Sequence, residues 1–237
     1  MIICPICETN ADEAFTVSFM NGKPHLDKVY VDFPVTYMKC PKCGCHFSKE
    51  QQEWTSADFA HNCYNDDYWH YDSDINNHLG NRPTFHKNLF STMFSAFRNK
   101  RILDYGCGKG FAVSHLKEQG LDIYGYDPYF GAYKQMPDGK FDLITAFEVL
   151  EHSYNINDIF KMWHDRLNDG GIVYATTDLT DRMANIQTNY YTCPRVGHVV
   201  LHSLRSLKYI AEIHGFNVIH LDRHEKTGIQ AHIFTKI

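Results

Sequence analysis

Three closely spaced glycines follow a short apolar run in this 237-residue chain. The stretch "RILDYGCGKGF", residues 101–111, ends its apolar part near Asp104 and then places Gly106, Gly108 and Gly110 at alternate positions. Glycine is costly in regular structure because it loses more backbone freedom on folding than any other residue. The cluster therefore predicts a tight strand–turn–helix connection whose bare backbone lets a ligand approach closely.

Two carboxylates near this turn narrow the class of ligand. The dinucleotide fingerprint has the spacing G-x-G-x-x-G, whereas this chain has G-x-G-x-G with Asp104 two positions before the first glycine. A carboxylate there repels a pyrophosphate and attracts the α-ammonium group of S-adenosylmethionine. "YGYDP" places Asp127 after the next apolar run, where an acidic residue binds ribose hydroxyls. The alternative is that Asp104 caps a strand end and that Asp127 is a turn residue before Pro128.

Apolar runs alternate with amphipathic stretches from residue 100 onward. This alternation predicts βαβ units and a parallel sheet. The last two runs, "NVIHLDRH" and "GIQAHIFTKI", are close enough to form an antiparallel hairpin. We predict helices over "FAVSHLKEQG", "NDIFKMWHDRLNDGG" and "SLRSLKYIAEIHGF", with Asn157 or Asp158 and Ser203 as N-caps and Gly120, Gly170 and Gly215 at the ends.

Residues 99–237 resemble the class I, S-adenosylmethionine-dependent methyltransferases of the small-molecule type. The resemblance rests on "LDYGCGKG", "YGYDP", "FDLITAFEVLEH", "LNDGGIVYATT" and "HVVLHSLRSLKYIAEIHGF", in this order. It implies a Rossmann-like α/β sheet of seven strands with the last strand antiparallel. It also implies that the glycine turn holds the methionine end and that the fourth strand ends along the cofactor. The candidate cofactor-binding residues are Asp104, Gly106, Cys107, Gly108, Gly110, Asp127, Pro128, Phe147, Glu148 and Tyr68.

One segment departs from the family pattern. Only thirteen residues separate Asp127 from Phe141, where family members fit a helix, a strand and an acidic residue that contacts adenine. We therefore expect a turn and at most a stub of strand in "PYFGAYKQMPDGK". Asp138 is the candidate for the adenine contact.

Two C-x-x-C turns near the N-terminus predict a metal site. "CPIC" and "CPKCG" supply Cys4, Cys7, Cys40 and Cys43, and four thiolates suit a structural, tetrahedral Zn²⁺ with no open coordination position. The stretch between them resembles the enlarged hairpin of a zinc ribbon, with "NGKP" as its turn. Cys45 and His46 are competing ligands that we expect to be spectators. A redox C-x-x-C would leave the second pair unexplained.

An aromatic segment, "HNCYNDDYWHYDSDINNH", joins the two parts of the chain. One interpretation is an amphipathic helix whose Tyr64, Tyr68 and Tyr71 pack on the domain. The other is a lid that places Tyr68 or Trp69 against the sulfonium of the cofactor, because aromatic faces attract cations. "RPTFHKNLFSTMFSAFRN" then predicts a helix before the first strand.

Methyl transfer to a hydroxyl or a carbon acid also needs a base, and the pKa of histidine suits this role. His198, in "NYYTCPRVGHVVLHS", is the first candidate, because related enzymes place a histidine shortly before the serine that caps the next helix. Where some of them have a neighbouring glutamate, this chain has Gly197. The other candidates near the expected pocket are His202, His152, Tyr190 and Tyr191, with Asp178 and Asp181 as groups that bind substrate hydroxyls or simply end the strand.

The composition of the chain limits the kinds of partner that it can bind. The net charge is −5 with histidine neutral, which is not the basic footprint of a nucleic-acid-binding protein. No apolar stretch approaches the ~20 residues that span a bilayer, and "MIICPICETN" lacks the pattern of a signal peptide. We therefore expect a cytoplasmic protein with reduced thiols.

Three functional hypotheses follow. The favoured one is a methyltransferase for a sugar, a phenol or quinone-like compound, or a lipid precursor, built from a zinc ribbon (1–50), an aromatic connector or lid (51–98) and a methyltransferase domain (99–237). The alternative is a nucleic-acid- or protein-binding ribbon on a non-catalytic cofactor-binding scaffold. A nicotinamide-dependent oxidoreductase is the third, and the glycine spacing and Asp104 argue against it.

Overall fold

The chain folds around two β-sheets, in a computed structural model that describes residues 1–22, 32–71, 97–221 and 230–237. The strands are β1 (Asp12–Ser18), β2 (Pro34–Lys39), β3 (His46–Ser48), β4 (Arg101–Tyr105), β5 (Asp122–Tyr126), β6 (Phe141–Phe147), β7 (Leu167–Thr176), β8 (Val200–Leu201), β9 (Phe216–Leu221) and β10 (Ala231–Lys236). The helices are α1 (Ser56–Asn62), α2 (Tyr68–Tyr71), α3 (Phe111–Glu118), α4 (Ile156–Arg166) and α5 (Leu204–Ile213).

The larger sheet, here called the main sheet, has the order β5-β4-β6-β7-β10-β9. Strands β5, β4, β6 and β7 are parallel, and β10 is antiparallel to both β7 and β9. This confirms the Rossmann-like sheet and its antiparallel last strand. It also places the carboxyl ends of four parallel strands along one edge, where ligands bind in such folds.

The expectation of seven strands is wrong for the described residues, which form six in this sheet. Residues 128–140 are described throughout and contain one short 3-10 turn, Gly131–Tyr133, and no strand. The physical reason is the shortness of the connection. Its chain folds straight back, with the Asp127 N–H donating to the Tyr133 carbonyl at 2.9 Å, so β5 stays at the edge.

The helices follow from apolar spacing and capping. In α4 the buried residues Ile156, Ile159, Phe160 and Trp163 recur at helical spacing along one face. In α5 the N-cap is Ser203, as predicted, and it exchanges hydrogen bonds with Ser206 in a capping box.

The predicted limits of α4 are wrong. The helix begins after Asn155 rather than Asn157 or Asp158, and it ends at Arg166 rather than near Gly170. Leu167 instead pairs with Phe141 at the start of β7. Pairing with β6 therefore overrides the local helical pattern at this end.

The smaller, antiparallel sheet, here called the ribbon sheet, has the order β1-β2-β3-β8. Three of its strands come from the cysteine-rich N-terminal part. The fourth, β8, comes from the segment between β7 and α5, and pairs Val200 with Phe47 and Leu201 with His46. The edge strand of the ribbon sheet next to β3 therefore comes from the C-terminal part of the chain.

Two apolar clusters fill the interior. One runs without interruption from Phe47 of the ribbon sheet to Phe160 of α4 and Leu207 of α5. The other contains Val113 and Leu116 of α3, beneath the opposite face of the main sheet. The N-terminal part thus shares a core with one face of the main sheet.

Two predictions fall wholly or partly outside the described residues. The "NGKP" turn passes into residues 23–31, and the helix before β4 falls mainly within residues 72–96. Within the described ranges, every helix is too short or too polar to span a bilayer.

Candidate active site and metal centre

The glycine turn after β4 folds back on β5, and most of its N–H groups are hydrogen-bonded within the protein. Gly106 and Cys107 donate to the Tyr126 carbonyl at 2.7 and 3.2 Å. Gly108 donates to the Asp127 carboxylate at 3.0 Å, and Gly110 donates to the Cys107 carbonyl at 3.0 Å. These donors therefore do not form an open cradle for a diphosphate.

Backbone conformation and close packing explain the glycines. All three have positive φ, at +77°, +57° and +73° for Gly106, Gly108 and Gly110, a region that side chains disfavour. A Cβ on Gly106 would clash with Val149, and one on Gly110 would clash with the ring of Tyr133. A Cβ on Gly108 would meet open space, so only its backbone conformation favours glycine there.

The two predicted carboxylates lie at this edge of the sheet. Asp104 is 4% exposed and accepts a hydrogen bond from the Thr145 hydroxyl at 2.9 Å. Asp127 is 7% exposed and accepts from the N–H groups of Gly108, Tyr129 and Phe130. Burial raises the pKa of Asp127, and the three N–H donors oppose that rise. Asp127 thus joins the glycine turn to the loop after β5, whatever else it binds.

The end of β6 is strained next to this site. Glu148 follows the strand with φ +51°, and its N–H donates to both the carbonyl and the hydroxyl of Thr176. Phe147 packs on Tyr174 with ring centroids 5.8 Å apart, so its ring contributes to the core.

Asp138 lies at the opposite edge of the main sheet from these groups. A Cβ on the next residue, Gly139, would clash with the Arg101 guanidinium at the start of β4. This placement does not favour the predicted contact between Asp138 and adenine, because ligands in such folds bind at the carboxyl ends of the strands.

Aromatic residues of the connector reach the loop after β5. The ring of Tyr64 is 5.2 Å from that of Tyr68 and 4.6 Å from that of Tyr129, two residues after Asp127. Tyr68 itself is buried. Up to Tyr71, where the described part of the connector ends, the chain forms the short helices α1 and α2 with a turn between them.

His152 and His198 come together beyond the ends of β6 and β7. Their ring centroids are 4.9 Å apart in an edge-to-face arrangement. Nδ1 of His198 lies 2.6 Å from the Tyr191 carbonyl, and Nδ1 of His152 lies 3.1 Å from the Gly197 carbonyl. A proton on each Nδ1 satisfies these carbonyls and leaves the lone pair on Nε2, the form in which imidazole accepts a proton.

A buried glutamate completes this cluster. Glu151 is fully buried, and its Oε1 lies 3.8 Å from His152 Nε2 without a hydrogen-bond partner. Its Oε2 accepts from the Thr177 hydroxyl at 3.0 Å. Burial, followed by the charge of Glu148, raises the pKa of Glu151 well above its ordinary value. Donor atoms of Glu151, His152 and His198 all lie within 4.8 Å of one another.

The third candidate base, His202, lies apart from this pair. It is fully buried, with Nε2 3.1 Å from the Leu150 carbonyl, and burial lowers its pKa to about 4. The two aspartates after β7 have internal partners as well. Asp178 accepts from the Tyr190 hydroxyl, and Asp181 accepts from the Leu204 N–H at the start of α5.

The motifs in the sequence do not indicate Glu151 or Thr177 as parts of this cluster, and they present Tyr64 only as a packing residue. Glu151 stands next to His152 in "VLEH", so its place in the sequence was a usable signal. Tyr64, whose hydroxyl lies 3.1 Å from His152 Nδ1, is 88 residues away along the chain. Only the fold brings it there.

The four predicted thiols meet at one end of the ribbon sheet. Donor atoms of Cys4, Cys7, Cys40 and Cys43 lie within 4.8 Å of one another, and all four residues are buried. Sγ of Cys4 is 3.6 Å from that of Cys43, and Sγ of Cys7 is 3.3 Å from that of Cys40. A tetrahedral zinc with Zn–S bonds of about 2.3 Å needs neighbouring sulfurs about 3.8 Å apart, so the set fits the ion.

The sulfur of Cys45 lies as close to the cluster as the four predicted ligand sulfurs lie to one another. Its Sγ lies 3.5 Å from that of Cys4 and 3.4 Å from that of Cys43. His46 points elsewhere: its ring centroid is 5.9 Å from that of Phe15.

The sheet order defines a Rossmann-like α/β fold, and two buried carboxylates stand beside a glycine turn at the carboxyl ends of its parallel strands. The family model described as "Methyltransferase domain" matches residues 68–221, well over half of the chain. The chain therefore belongs to this methyltransferase family.

Curated relatives are distant. The ubiquinone biosynthesis O-methyltransferase of Acinetobacter baylyi is 27% identical over a match that covers 33% of this chain and 43% of the relative. The enzyme of the same name from Pseudomonas aeruginosa is 28% identical, with 33% and 44% covered. The chain thus spans less than half the length of these two relatives.

Solved structures share the fold. CalS10, an amino pentose methyltransferase from Micromonospora echinaspora solved with S-adenosylmethionine bound, has a TM-score of 0.50 at 10% identity, with 65% of this chain and 91% of that chain covered. A methyltransferase from Archaeoglobus fulgidus, described as S-adenosylmethionine-dependent, has a TM-score of 0.50 at 17% identity, covering 65% and 94%. At these identities the likeness concerns the fold alone.

Replacing Gly197 by alanine is expected to destabilise the protein and to disturb the histidine pair. Gly197 has φ +87°, and an added Cβ would lie 2.6 Å from the Tyr64 hydroxyl and 3.2 Å from His152 Nδ1. The control is Gly170→Ala, where φ is +73° and nothing lies within 4 Å of the added Cβ. We expect a loss of about 1 kcal/mol in the control, measured by urea unfolding, and a clearly larger loss for Gly197→Ala. Equal losses would show that the site has room for a side chain.

Replacing Glu151 by glutamine is expected to reduce the fall in the free energy of unfolding as pH rises from about 5 to about 8. The folded-state pKa of Glu151 is raised above its ordinary 4.5, so the folded protein binds more protons than the unfolded chain above that pH, and its stability falls as pH rises. The free energy of unfolding of the variant, relative to the native protein, should therefore increase between about pH 5 and about pH 8. Glu118→Gln, at an exposed position on α3, controls for the loss of one charge. A difference that stays constant with pH would contradict the burial argument.

Proposed function

We propose that this protein is an S-adenosylmethionine-dependent methyltransferase that acts on a small molecule. The observation that carries the proposal is the pair of buried carboxylates, Asp104 and Asp127, on either side of the glycine turn. In this assignment Asp104 accepts from the α-ammonium of the cofactor and Asp127 accepts from its ribose hydroxyls. Membership of the methyltransferase family supports the same conclusion.

The turn itself favours this cofactor over a nicotinamide dinucleotide. A diphosphate needs unpaired N–H groups or cations, and the N–H groups of Gly106, Gly108 and Gly110 are already paired within the protein. An amino acid joined to a nucleoside presents an ammonium and hydroxyls, which are donors. Two carboxylates complement donors and repel phosphates.

Methyl transfer is an in-line displacement in which the acceptor atom bonds to the methyl carbon while the carbon–sulfur bond breaks and the electron pair returns to sulfur. The sulfonium already activates the methyl group, so the protein mainly aligns donor and acceptor. A hydroxyl acceptor also loses its proton. We assign this proton to Nε2 of His198, because Nδ1 is directed at the Tyr191 carbonyl.

His152 and Glu151 support that assignment. His152 lies edge-to-face against His198, and Glu151 Oε1 lies 3.8 Å from His152 Nε2. Burial favours the neutral form of Glu151, so we assign it no charge in the reaction. With its Oε2 bonded to the Thr177 hydroxyl, it packs beside His152 and limits the movement of the histidine pair. Tyr68 and Tyr64 belong to the wall that shields the cofactor from water.

The acceptor class is a sugar, a phenol or quinone-like compound, or a lipid precursor. The named relatives act in ubiquinone biosynthesis, and a structural neighbour methylates an amino pentose. We favour this function over a nucleic-acid- or protein-binding ribbon because strand β3 is already paired with β8. The ribbon sheet therefore uses one edge to bind its own methyltransferase domain.

Removing the charge of Asp104 should weaken the binding of S-adenosylmethionine. Asp104→Asn keeps an acceptor for the Thr145 hydroxyl but loses a charge-assisted hydrogen bond, so affinity measured by titration calorimetry should fall about tenfold or more. Asp122→Asn, at an exposed position of β5, should bind as the native protein does. Unchanged affinity in Asp104→Asn, or tighter binding of NAD than of S-adenosylmethionine, would overturn the assignment.

The same preparations test turnover. Transfer of a radioactive methyl group is measured with a catechol, an amino sugar and a polyprenyl phenol as acceptors. We expect His198→Gln to lose at least a hundredfold in kcat while it retains its affinity for S-adenosylmethionine.

We also propose that Cys4, Cys7, Cys40 and Cys43 hold a structural zinc ion. Bound there, the ion would fix the fold of the ribbon and supply no step of the reaction. Elemental analysis should find one zinc per chain, and Cys43→Ser should lose the metal and unfold at lower temperature. Cys63→Ser replaces a buried thiol outside the cluster and should retain the ion. If removing the metal left the stability of the native protein unchanged, the proposal would be contradicted.

A further inference from the structure

The segment that carries His198 lies between the two sheets. This segment, residues 193–203, is here called the His198 loop. Its backbone is tied to the N-terminal part at several points: the Arg195 N–H donates to the Phe19 carbonyl at 3.0 Å, and the Ser48 N–H donates to the Val199 carbonyl at 2.9 Å. The Gln51 side chain donates to the Pro194 carbonyl at 3.2 Å. Through β8, which pairs with β3, the loop also supplies an edge strand of the ribbon sheet.

One side chain of the ribbon reaches the histidine itself. Tyr37 lies in β2, is fully buried, and donates its hydroxyl to the His198 carbonyl at 2.6 Å. Its ring stacks on Phe15 of β1 at 5.3 Å between centroids. Burial raises the pKa of Tyr37 well above its ordinary value, so the hydroxyl keeps its proton and remains a donor.

Three contacts hold His198, two at its backbone and one at its ring. Its N–H donates to the Cys193 carbonyl at 3.3 Å, its carbonyl accepts from Tyr37, and its ring Nδ1 lies 2.6 Å from the Tyr191 carbonyl. The following residue, Val199, donates its N–H to the Glu151 carbonyl at 2.8 Å. Rotation of the 198–199 peptide would therefore change both the direction of the imidazole and its spacing from the Glu151–His152 pair.

We propose that Tyr37 is a positioning residue for His198, so that the ribbon sheet is a working part of the methyltransferase site and not only a folding nucleus. Tyr37 acts through the His198 carbonyl and touches neither cofactor nor acceptor. The inference rests on the proposed role of His198, and it extends that role to a residue 161 positions away in the sequence.

The metal centre bears on the same contact. Cys40 directly follows β2 and Cys45 directly precedes β3, and the Cys40 N–H donates to the Cys45 carbonyl at 3.0 Å. The thiol cluster therefore closes the hairpin that carries Tyr37 on one strand and the partner of β8 on the other. A firmly closed hairpin holds both contacts to the His198 loop in register.

The test compares two tyrosine-to-phenylalanine variants of the full, zinc-loaded chain. Tyr37→Phe removes the hydroxyl that reaches His198. Tyr209→Phe is the matched control, because its hydroxyl also lies between the two parts of the chain but accepts from the Lys42 side chain, away from the His198 loop. The readout is the imidazole spectrum of His198 from nuclear magnetic resonance of histidine-labelled protein, assigned by comparison with His198→Gln.

We expect Tyr37→Phe to displace the His198 imidazole resonances and to move their titration midpoint by about 0.5 pH unit or more. Tyr209→Phe should leave both unchanged, and S-adenosylmethionine should bind both variants within about twofold of its native affinity. Titratable groups among the described residues that lie beside the ring include His152, Glu151 and Tyr191.

Two results would overturn the inference. His198 signals in Tyr37→Phe that match those of the native protein would show that the hydrogen bond does not orient the residue. Equal displacement in both variants would show a general loosening between the two parts of the chain. Failure of the proposed function is separate: the native protein would then transfer no methyl group, although the response of His198 to Tyr37→Phe could still be measured.

Discussion

The parallel alignment of β5, β4, β6 and β7 is the constraint on which the site depends. Because these strands run in the same direction, their carboxyl ends meet at one edge of the main sheet. Asp104, Asp127 and Glu148 stand at or just beyond three of those ends. Any two of them are at least 21 positions apart in the sequence, and the parallel alignment brings all three to the same edge.

The second organising feature is the way the chain covers that edge. On one side, the aromatic connector brings Tyr64 against Tyr129 and His152. On the other, the ribbon sheet takes up β8 and lies along the loop that carries His198. A continuous apolar cluster joins the ribbon to α4 and α5, so the N-terminal part cannot be removed without exposing core. In the proposed site, the ribbon sheet forms one wall.

Local signals in the sequence were sufficient for much of the fold. Ser203 was predicted as an N-cap because a serine before an apolar helical pattern satisfies a free backbone N–H, and that interaction involves only neighbouring residues. The glycine turn and its flanking aspartates were predicted for similar reasons. The shortness of residues 128–140 indicated that a strand would be missing there, even though the family resemblance implied seven.

What the sequence did not reveal depends on contacts between distant residues. Leu167 continues a helical pattern, but its pairing with Phe141 makes it the first residue of β7. Strand β8 is two residues long and carries no detectable periodicity of its own. Glu151 acquires its raised pKa only when the fold buries it beside Glu148. No local signal in the sequence distinguishes Tyr37 from other aromatic strand residues, because only the fold brings it to His198.

The most direct test of the central claim is a crystal structure of the zinc-loaded chain with S-adenosylhomocysteine, the demethylated form of the cofactor. We expect the amino-acid end of the ligand to lie against Asp104, its ribose against Asp127, and its sulfur to face the His198 side of the site. A ligand bound elsewhere, or an edge at residues 104–110 that stays empty under saturating conditions, would contradict it.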